Sequence, residues 1–253
     1  MKKLLFTLTL IGFINIAYSQ FISYPPQILG GKFNYKLVFD QEFYYPPEAI
    51  NSKSEGEIEI KFTVDIDGKP SDFIIVKSVT PSLDSAFINV VKHYLWIPGT
   101  HDGAVSAMHV GLSEKFKIKK YLKLIKKRGY DKPSYSFTPY NSSYDIIDFS
   151  KIETPAKASY QSETINVFKF VGEYIRVPEA ALKQGIKGIV ELEFIIEPSG
   201  RLSNFKALKG VGGGCNEEAI RLMRMLDWEP GKVNGEYVRS SYRINVNFGN
   251  TRY

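Results

Sequence analysis

Sliding the chain along itself by 132 residues brings Pro46 onto Pro178, Ala49 onto Ala181, Gly56 onto Gly188 and Phe62 onto Phe194. The same offset brings Gly68 onto Gly200, Phe73 onto Phe205, Ile88 onto Ile220, Trp96 onto Trp228, Pro98-Gly99 onto Pro230-Gly231, Gly103 onto Gly235 and Phe116 onto Phe248. A single offset held from residue 46 to 116 requires every element to have the same length in both copies, so the chain is a tandem repeat. The period far exceeds that of solenoid repeats, so each copy needs a core of its own.

Inside copy one, Glu57 to Ile66 alternates polar and apolar residues, the pattern of a half-buried strand. Asp67-Gly68 follows and predicts a type I′ hairpin turn, with Ser199-Gly200 in the same place in copy two. A second strand is expected from about Ser71 to Ser78. Asp84 and Asn216 are expected helix N-caps, because their side-chain oxygens can accept first-turn amides. Behind them Phe87, Ile88, Val91 and Leu95, and in copy two Ala219, Ile220, Met223 and Leu226, make an apolar helical stripe. Pro98 and Pro230 forbid continuation, and extended patterning returns at Val105–Ile118 and Tyr237–Phe248. The expected fold class is therefore α+β, two tandem ββαβ modules, each a three-stranded antiparallel sheet packed by one helix. Such a sheet leaves two edges for added strands.

Lys2 and Lys3 precede an apolar stretch from Leu4 to Ala17 that is interrupted by Gly12 and ends Ala17-Tyr18-Ser19-Gln20. That stretch is shorter than the ~20 residues a spanning helix needs, so residues 1–19 read as a cleavable signal peptide. The expected organisation is this signal peptide, a first domain over residues 20–118, a basic and aromatic linker over 119–162 and a second domain over 163–253. Cleavage removes two lysines and no acids, lowering the formal net charge from +6 to +4, and no transmembrane helix is expected in the mature chain. Cys215 is the only cysteine, so an intrachain disulfide is impossible and the thiol reads as a small buried hydrophobe. Gln20 stands where a lipid-anchored protein would carry cysteine.

Several motifs resolve to ordinary structure. Gly210-Val211-Gly212-Gly213-Gly214-Cys215 lacks the Gly-Lys-Ser/Thr end of a phosphate loop and has Cys215 where a dinucleotide fingerprint needs glycine. Asp65, Asp67 and Gly68 suggest a calcium loop, but Lys69 occupies the next ligand position. His93, His101 and His109 have no metal-helix spacing, and Met225, Val233 and Ser241 stand at their repeat positions. No nucleophile elbow or paired catalytic carboxylate recurs in both copies, so neither catalysis nor a cofactor or metal is expected. The recurring Trp-x-Pro-Gly reads as a large aromatic anchoring the helix end before a turn into the last strand. Lys115, Lys117, Lys119, Lys120, Lys123, Lys126, Lys127 and Arg128 form one dense basic run, solvated by default and alternatively a contact for anionic envelope surfaces. Export argues against nucleic acid. The aromatic-rich stretch Gly129–Thr164 is expected to lie against one or both domains.

The composite pattern Tyr45-Pro46-x-x-Ala49, Gly56, Asp67-Gly68, Leu83-Asp84 and Trp96-x-Pro98-Gly99, repeated with Val177-Pro178-x-x-Ala181, Gly188, Ser199-Gly200, Gly214-Cys215-Asn216-Glu217-Glu218-Ala219 and Trp228-x-Pro230-Gly231, resembles the TonB C-terminal domain in the form common in Bacteroidetes. The resemblance covers roughly residues 28–118 and 163–249. It implies a non-enzymatic periplasmic domain that binds a short N-terminal segment of an outer-membrane TonB-dependent receptor by strand addition in support of transport. The receptor segment would pair with the third strand, here Ala107, Met108, His109, Val110, Gly111 and Leu112, and in copy two Arg239, Ser240, Ser241, Tyr242, Arg243, Ile244 and Asn245; of the two, Arg239–Asn245 is the expected accessible edge, because no later strand of its own module follows it. Copy two departs from copy one in carrying Val177 in place of Tyr45. A transducer also has a retained anchor and a long Pro-rich spacer, whereas Gly30-Gly31 here follow the signal peptide almost directly. The reading is therefore a periplasmic or secreted adaptor. The alternatives are a structural module on peptidoglycan, pairing of modules or of two chains through sheet edges, and an inner-membrane-anchored transducer if the signal peptide is retained.

Overall fold

The strand pattern of copy one recurs in copy two as the backbone of two matching sheets. The computed structural model describes residues 23–249; the expected signal peptide, residues 1–19, and its cut before Gln20 lie outside them. The first module opens with β1 (Ser23–Tyr24), β2 (Gln27–Ile28), α1 (Gly31–Glu42) and α2 (Pro47–Asn51). Its body is β3 (Gly56–Val64), β4 (Pro70–Lys77) and α3 (Pro81–His93). Short strands β5 (Trp96–Ile97), β6 (Gly99–His101) and β7 (Ala104–Ser106) lead to β8 (Met108–Phe116) and α4 (Ile118–Arg128). The end of the linker and the second module repeat the plan: β9 (Lys157–Tyr160) at the linker's end, then β10 (Glu163–Thr164), α5 (Val167–Tyr174), α6 (Glu179–Gln184), β11 (Ile189–Ile196), β12 (Leu202–Lys209) and α7 (Cys215–Arg224). It closes with β13 (Asp227–Glu229), β14 (Lys232–Val233), β15 (Glu236–Tyr237) and β16 (Ser240–Asn247).

The two main sheets are antiparallel with orders β4-β3-β8 and β12-β11-β16. In β3 every second side chain, Ile58, Ile60, Phe62 and Val64, is buried against Leu83, Phe87, Val90 and Val91 of α3. Val190, Leu192, Phe194 and Ile196 of β11 do the same against Ala219, Leu222 and Met223 of α7. Each such side chain contributes roughly 1.5–3 kcal/mol on leaving water, which is how alternation becomes a sheet with one helix-covered face. The ββαβ expectation and the two separate cores hold.

Local signals needed correction. Only Gly68 (φ 78°) of the Asp67-Gly68 pair is left-handed, so the β3–β4 turn is a three-residue loop with a glycine bulge, closed by Gly68 N–H to Asp65 O at 3.1 Å and Asp65 N–H to Lys69 O at 3.0 Å. The Asp65 carboxylate accepts the amides of Asp67 and Lys69, at 2.9 and 2.8 Å, and so shapes the turn. Type I′ geometry appears instead at Asp102-Gly103 (φ 51° and 80°) and Asn234-Gly235 (φ 50° and 78°), joining β6 to β7 and β14 to β15. Thr80, not Asp84, caps α3 by accepting Leu83 N–H, because Pro81 fixes the first helical residue three positions earlier. Asp84 is buried inside the helix and accepts Ser78 Oγ–H at 2.5 Å and Val79 N–H at 3.2 Å. Likewise α7 starts at Cys215 after Gly214 (φ 87°), and Asn216 lies within it. The third strands are broken at Ala107 and at Val238-Arg239, so β8 and β16 are shorter than the extended pattern.

Trp96 and Trp228 lie in short strands beyond the helix ends and not at those ends: Trp96 pairs with Ile28, and Trp228 with Ala158 of the linker. Their rings pack edge-on against Phe62 at 5.1 Å and Phe194 at 5.7 Å. A methyl group at Gly68 would sit 2.2 Å from Trp96 O, and one at Gly200 would sit 2.4 Å from Trp228 O. Each hairpin turn therefore seats directly on its tryptophan strand, which explains glycine at both repeat positions. Gly68→Ala and Gly200→Ala are each expected to lower stability by about 1–3 kcal/mol in urea unfolding, through strain at positive φ and displacement of the tryptophan strand. Gly103→Ala, where a methyl group meets nothing within 4 Å, is expected to cost only its backbone strain.

Candidate functional site

Backbone direction along each third strand follows from register. Asp65 uses its N–H toward β4, so alternation along β3 sends Val64, Phe62 and Ile60 toward β8, where they pair with Met108, Val110 and Leu112. The intervening residues of β8, His109, Gly111 and Ser113, therefore turn N–H and C=O away from the sheet. Among the described residues β8 is paired on its β3 side only. Of the expected contact residues in copy one, Ala107, His109 and Gly111 are exposed and Met108, Val110 and Leu112 half-buried.

The equivalent edge in copy two is partly filled by the chain itself. Ile147 N–H donates to Arg239 O at 2.9 Å and Ile147 O accepts Ser241 N–H at 3.1 Å. Upstream, Tyr237 N–H reaches Pro139 O and Asn141 N–H reaches Tyr237 O, both at 2.9 Å. Residues 139–147 thus run parallel to the chain from the end of β15 to the start of β16. Alternation from Ser241 leaves the backbone of Arg243 and Asn245 pointing outward. Arg239 and Ser240 are buried, Tyr242 rests on the rings of Phe194 and Trp228, and Ile244 points into the core. The exposed Arg243 side chain pairs with Glu193 at 2.6 Å. The aromatic linker therefore does lie against a domain, and its end pairs with β13 through β9.

The remaining edge of the second sheet, β12, is covered by the first module. Asn34 of α1 donates Nδ2–H to Phe205 O at 2.7 Å and accepts Phe205 N–H at 3.0 Å, so a side-chain amide takes the place of a neighbouring strand. Gly30 (φ 70°) allows this approach, since a methyl group there would lie 2.2 Å from Asn34 Nδ2. From the other side, Asn204, left-handed at φ 50°, accepts Leu95 N–H at 3.0 Å and donates to His93 O at 3.0 Å. His93 is the last residue of α3, so its carbonyl is one that the helix itself leaves unpaired. Arg239 also donates to His93 O at 2.6 Å, to Tyr144 O at 2.9 Å, and to both oxygens of Glu197 at 3.1 and 3.0 Å. Ser203 Oγ–H binds the same carboxylate. Leu37 of α1 completes the contact by joining the second module's core. Neither Asn34 nor Asn204 stands out in the sequence, because only the docked arrangement gives them partners.

His93 stacks edge-on against Tyr144, His101 lies by Asp102, and His109 meets Thr63, so the three histidines do not converge. No cluster of three or more metal-binding side chains occurs among the described residues. Cys215 is fully buried, and burial together with Glu217 and Glu218 raises its thiol above the ordinary range, which keeps it unreactive. Asn34→Ala and Asn204→Ala are each expected to cost about 1–3 kcal/mol in urea unfolding, because each strands buried backbone groups of the opposite module. Asn166, which stands at the repeat position of Asn34 but only caps α5, is expected to cost roughly 1 kcal/mol on replacement by alanine.

The family of Gram-negative bacterial TonB protein C-terminal domains matches residues 41–118 and 174–249, together more than half of the chain. The solution structure of Helicobacter pylori TonB-CTD (residues 179–285) is 20% identical over 34% of this chain and 78% of that one, with a TM-score of 0.26. The Pseudomonas aeruginosa TonB CTD is 21% identical over 31% of this chain and 82% of that one, with a TM-score of 0.25. No curated protein matches.

Proposed function

The chain belongs to the family of Gram-negative bacterial TonB C-terminal domains, and from that premise we propose that it is a non-catalytic adaptor of the periplasm that takes up an extended partner segment by strand addition. Its partner in this reading is the N-terminal segment of an outer-membrane TonB-dependent receptor, and its export depends on the signal peptide over residues 1–19. No described helix is long and apolar enough to cross a membrane.

The single observation that carries the reading is the unflanked outer side of β8, where His109, Gly111 and Ser113 present backbone donors and acceptors in register. Backbone pairing of this kind supplies affinity largely independent of side chains. The matching edge of β16 is filled at Arg239–Ser241 by the linker, and β12 is covered by α1. We therefore place the peptide site on the first module and give the second a supporting role. A purely structural envelope module is the second reading, favoured by the cover over β12 and over the start of β16 in the second sheet.

Proline scanning of β8 separates the two. Gly111→Pro removes an outward N–H and leaves the β3 ladder intact, and a side chain at Gly111 meets nothing within 4 Å. It is expected to abolish the binding of receptor N-terminal peptides with little change in melting. Val110→Pro removes a ladder bond and is expected to destabilise the module by about 3 kcal/mol. Amides of His109, Gly111 and Ser113 that are already slow to exchange in the free chain, and unchanged by any peptide, would favour the structural reading.

A further inference from the structure

The outer edge of β8 runs directly into a cavity of about 500 Å³ walled by α1 and α4. Glu114 and Phe116 line it from one face of the strand and Lys115 from the other, Lys117 joins them just past the strand's end, and no residue of β3 takes part. A wall made from both alternating sets of one strand places the cavity at the strand's edge and not beneath the sheet. Its floor is aromatic: Phe43, Phe116 and Tyr121 are buried, and Phe39 is half-buried with its ring stacked on Phe43 at 4.8 Å. Arg128, donating to Asp40 O at 2.9 Å and Phe43 O at 2.8 Å, pins the end of α4 to α1 and keeps the walls in place.

The rim is strongly one-sided in charge. Its two acids are already engaged, Glu114 with the Tyr35 hydroxyl and Asp40 with Lys36 at 3.0 Å and Lys127 at 3.4 Å. Lys32, Lys115, Lys117, Lys120 and Lys123 also line the mouth and form no ion pair among the described residues. Lys115 and Lys117 are matched in copy two by Asn247 and Gly249, so the basic mouth belongs to the first module alone.

We propose that the segment taken up by β8 is an acidic peptide with an aromatic side chain next to its paired stretch, the ring seated on the Phe39–Phe116 floor and the flanking carboxylates held by Lys117, Lys120 and Lys123. This deepens the strand-addition reading and rests on it. A strand advances about 3.3 Å per residue, so a segment paired at Gly111 and Ser113 reaches the mouth within about two residues. Lysines at the rim add attraction to a carboxylate partner and reject a basic one, which makes the cavity a specificity device next to a sequence-tolerant edge.

The test uses the full chain and two synthetic ten-residue peptides that share one alternating β-forming stretch. One ends in a phenylalanine flanked by two aspartates; the other carries two lysines in place of the aspartates. Calorimetry is expected to give at least about tenfold tighter binding of the acidic peptide, declining with salt. The triple variant Lys117→Glu/Lys120→Glu/Lys123→Glu is expected to erase that preference, and Gly111→Pro to abolish binding of both peptides. The milder triple change of the same lysines to glutamine serves if charge reversal impairs folding. Equal affinity for the two peptides, both lost in Gly111→Pro, overturns the cavity assignment and leaves strand addition standing. Binding of either peptide that is indifferent to Gly111→Pro, or no binding at all, overturns both. Capture of phosphatidylglycerol vesicles that the triple variant abolishes and the acidic peptide does not compete with assigns the lysines to a lipid surface, and that too overturns the proposal.

Discussion

Two buried asparagine side chains hold the modules in one arrangement, and that arrangement decides which strand edges are open. Asn34 and Asn204 each make a donor and an acceptor contact with the backbone of the opposite module, and both are essentially without solvent exposure. A buried amide with only one of its bonds made would be costly, so the docked geometry is all or nothing. The Arg239–Glu197 pair beside them is equally buried, and each of its charged groups has several partners. Such a pair adds little net stability over an apolar equivalent but penalises any displacement that unpairs it. The polar contact therefore fixes orientation, while Leu37 adds apolar burial.

Three-stranded sheets have two edges apiece, so two modules confront the cell with four. The second module's β12 is sealed by α1 and the start of β16 by the linker, which uses the same backbone groups that an added strand would use. In the first module β4 carries a left-handed bulge at Asp72, φ 52°, which twists an edge against further pairing. Among the described residues only β8 offers an uninterrupted outward ladder. An edge left open amid three that are managed is informative, because unprotected edges invite aggregation and persist where something binds them.

Much of the framework was legible in sequence because it follows from period and repetition. Alternation in Glu57–Ile66 gave β3, the apolar stripes gave α3 and α7, and the constant offset gave two cores. Local punctuation was less reliable. Asp84 looks like a helix cap, yet Pro81 starts the helix earlier and Asp84 folds back onto Ser78 and Val79. Asp67-Gly68 looks like a tight hairpin, but the approach of Trp96 O to Gly68 selects a longer loop, and the tight turn falls to Asp102-Gly103. Sequence favours the wrong third strand: Arg239–Asn245, with no later strand of its own module to pair with it, is the expected open edge, yet the linker occupies its start at Arg239–Ser241.

The limits of the repeat as a guide are clearest where the residue is the same and its work is not. Asn34 and Asn166 stand at identical repeat positions near the starts of equivalent helices. Asn166 sits outside α5 and accepts the amides of Phe168 and Lys169. Asn34 sits inside α1, which begins at Gly31 after the left-handed Gly30, and its side chain is thereby released from capping to reach another module's strand. The extra turn at the start of α1 is what converts a local cap into an intermodule clamp. At the partner position Asp72 and Asn204 share the same left-handed bulge, but a carboxylate cannot donate to the His93 carbonyl, so only copy two can receive the contact. The direction of docking, first module onto second, is therefore written in one glycine and one amide, and among the described residues it leaves β8, the edge beside the basic cavity, unpaired on its outer side.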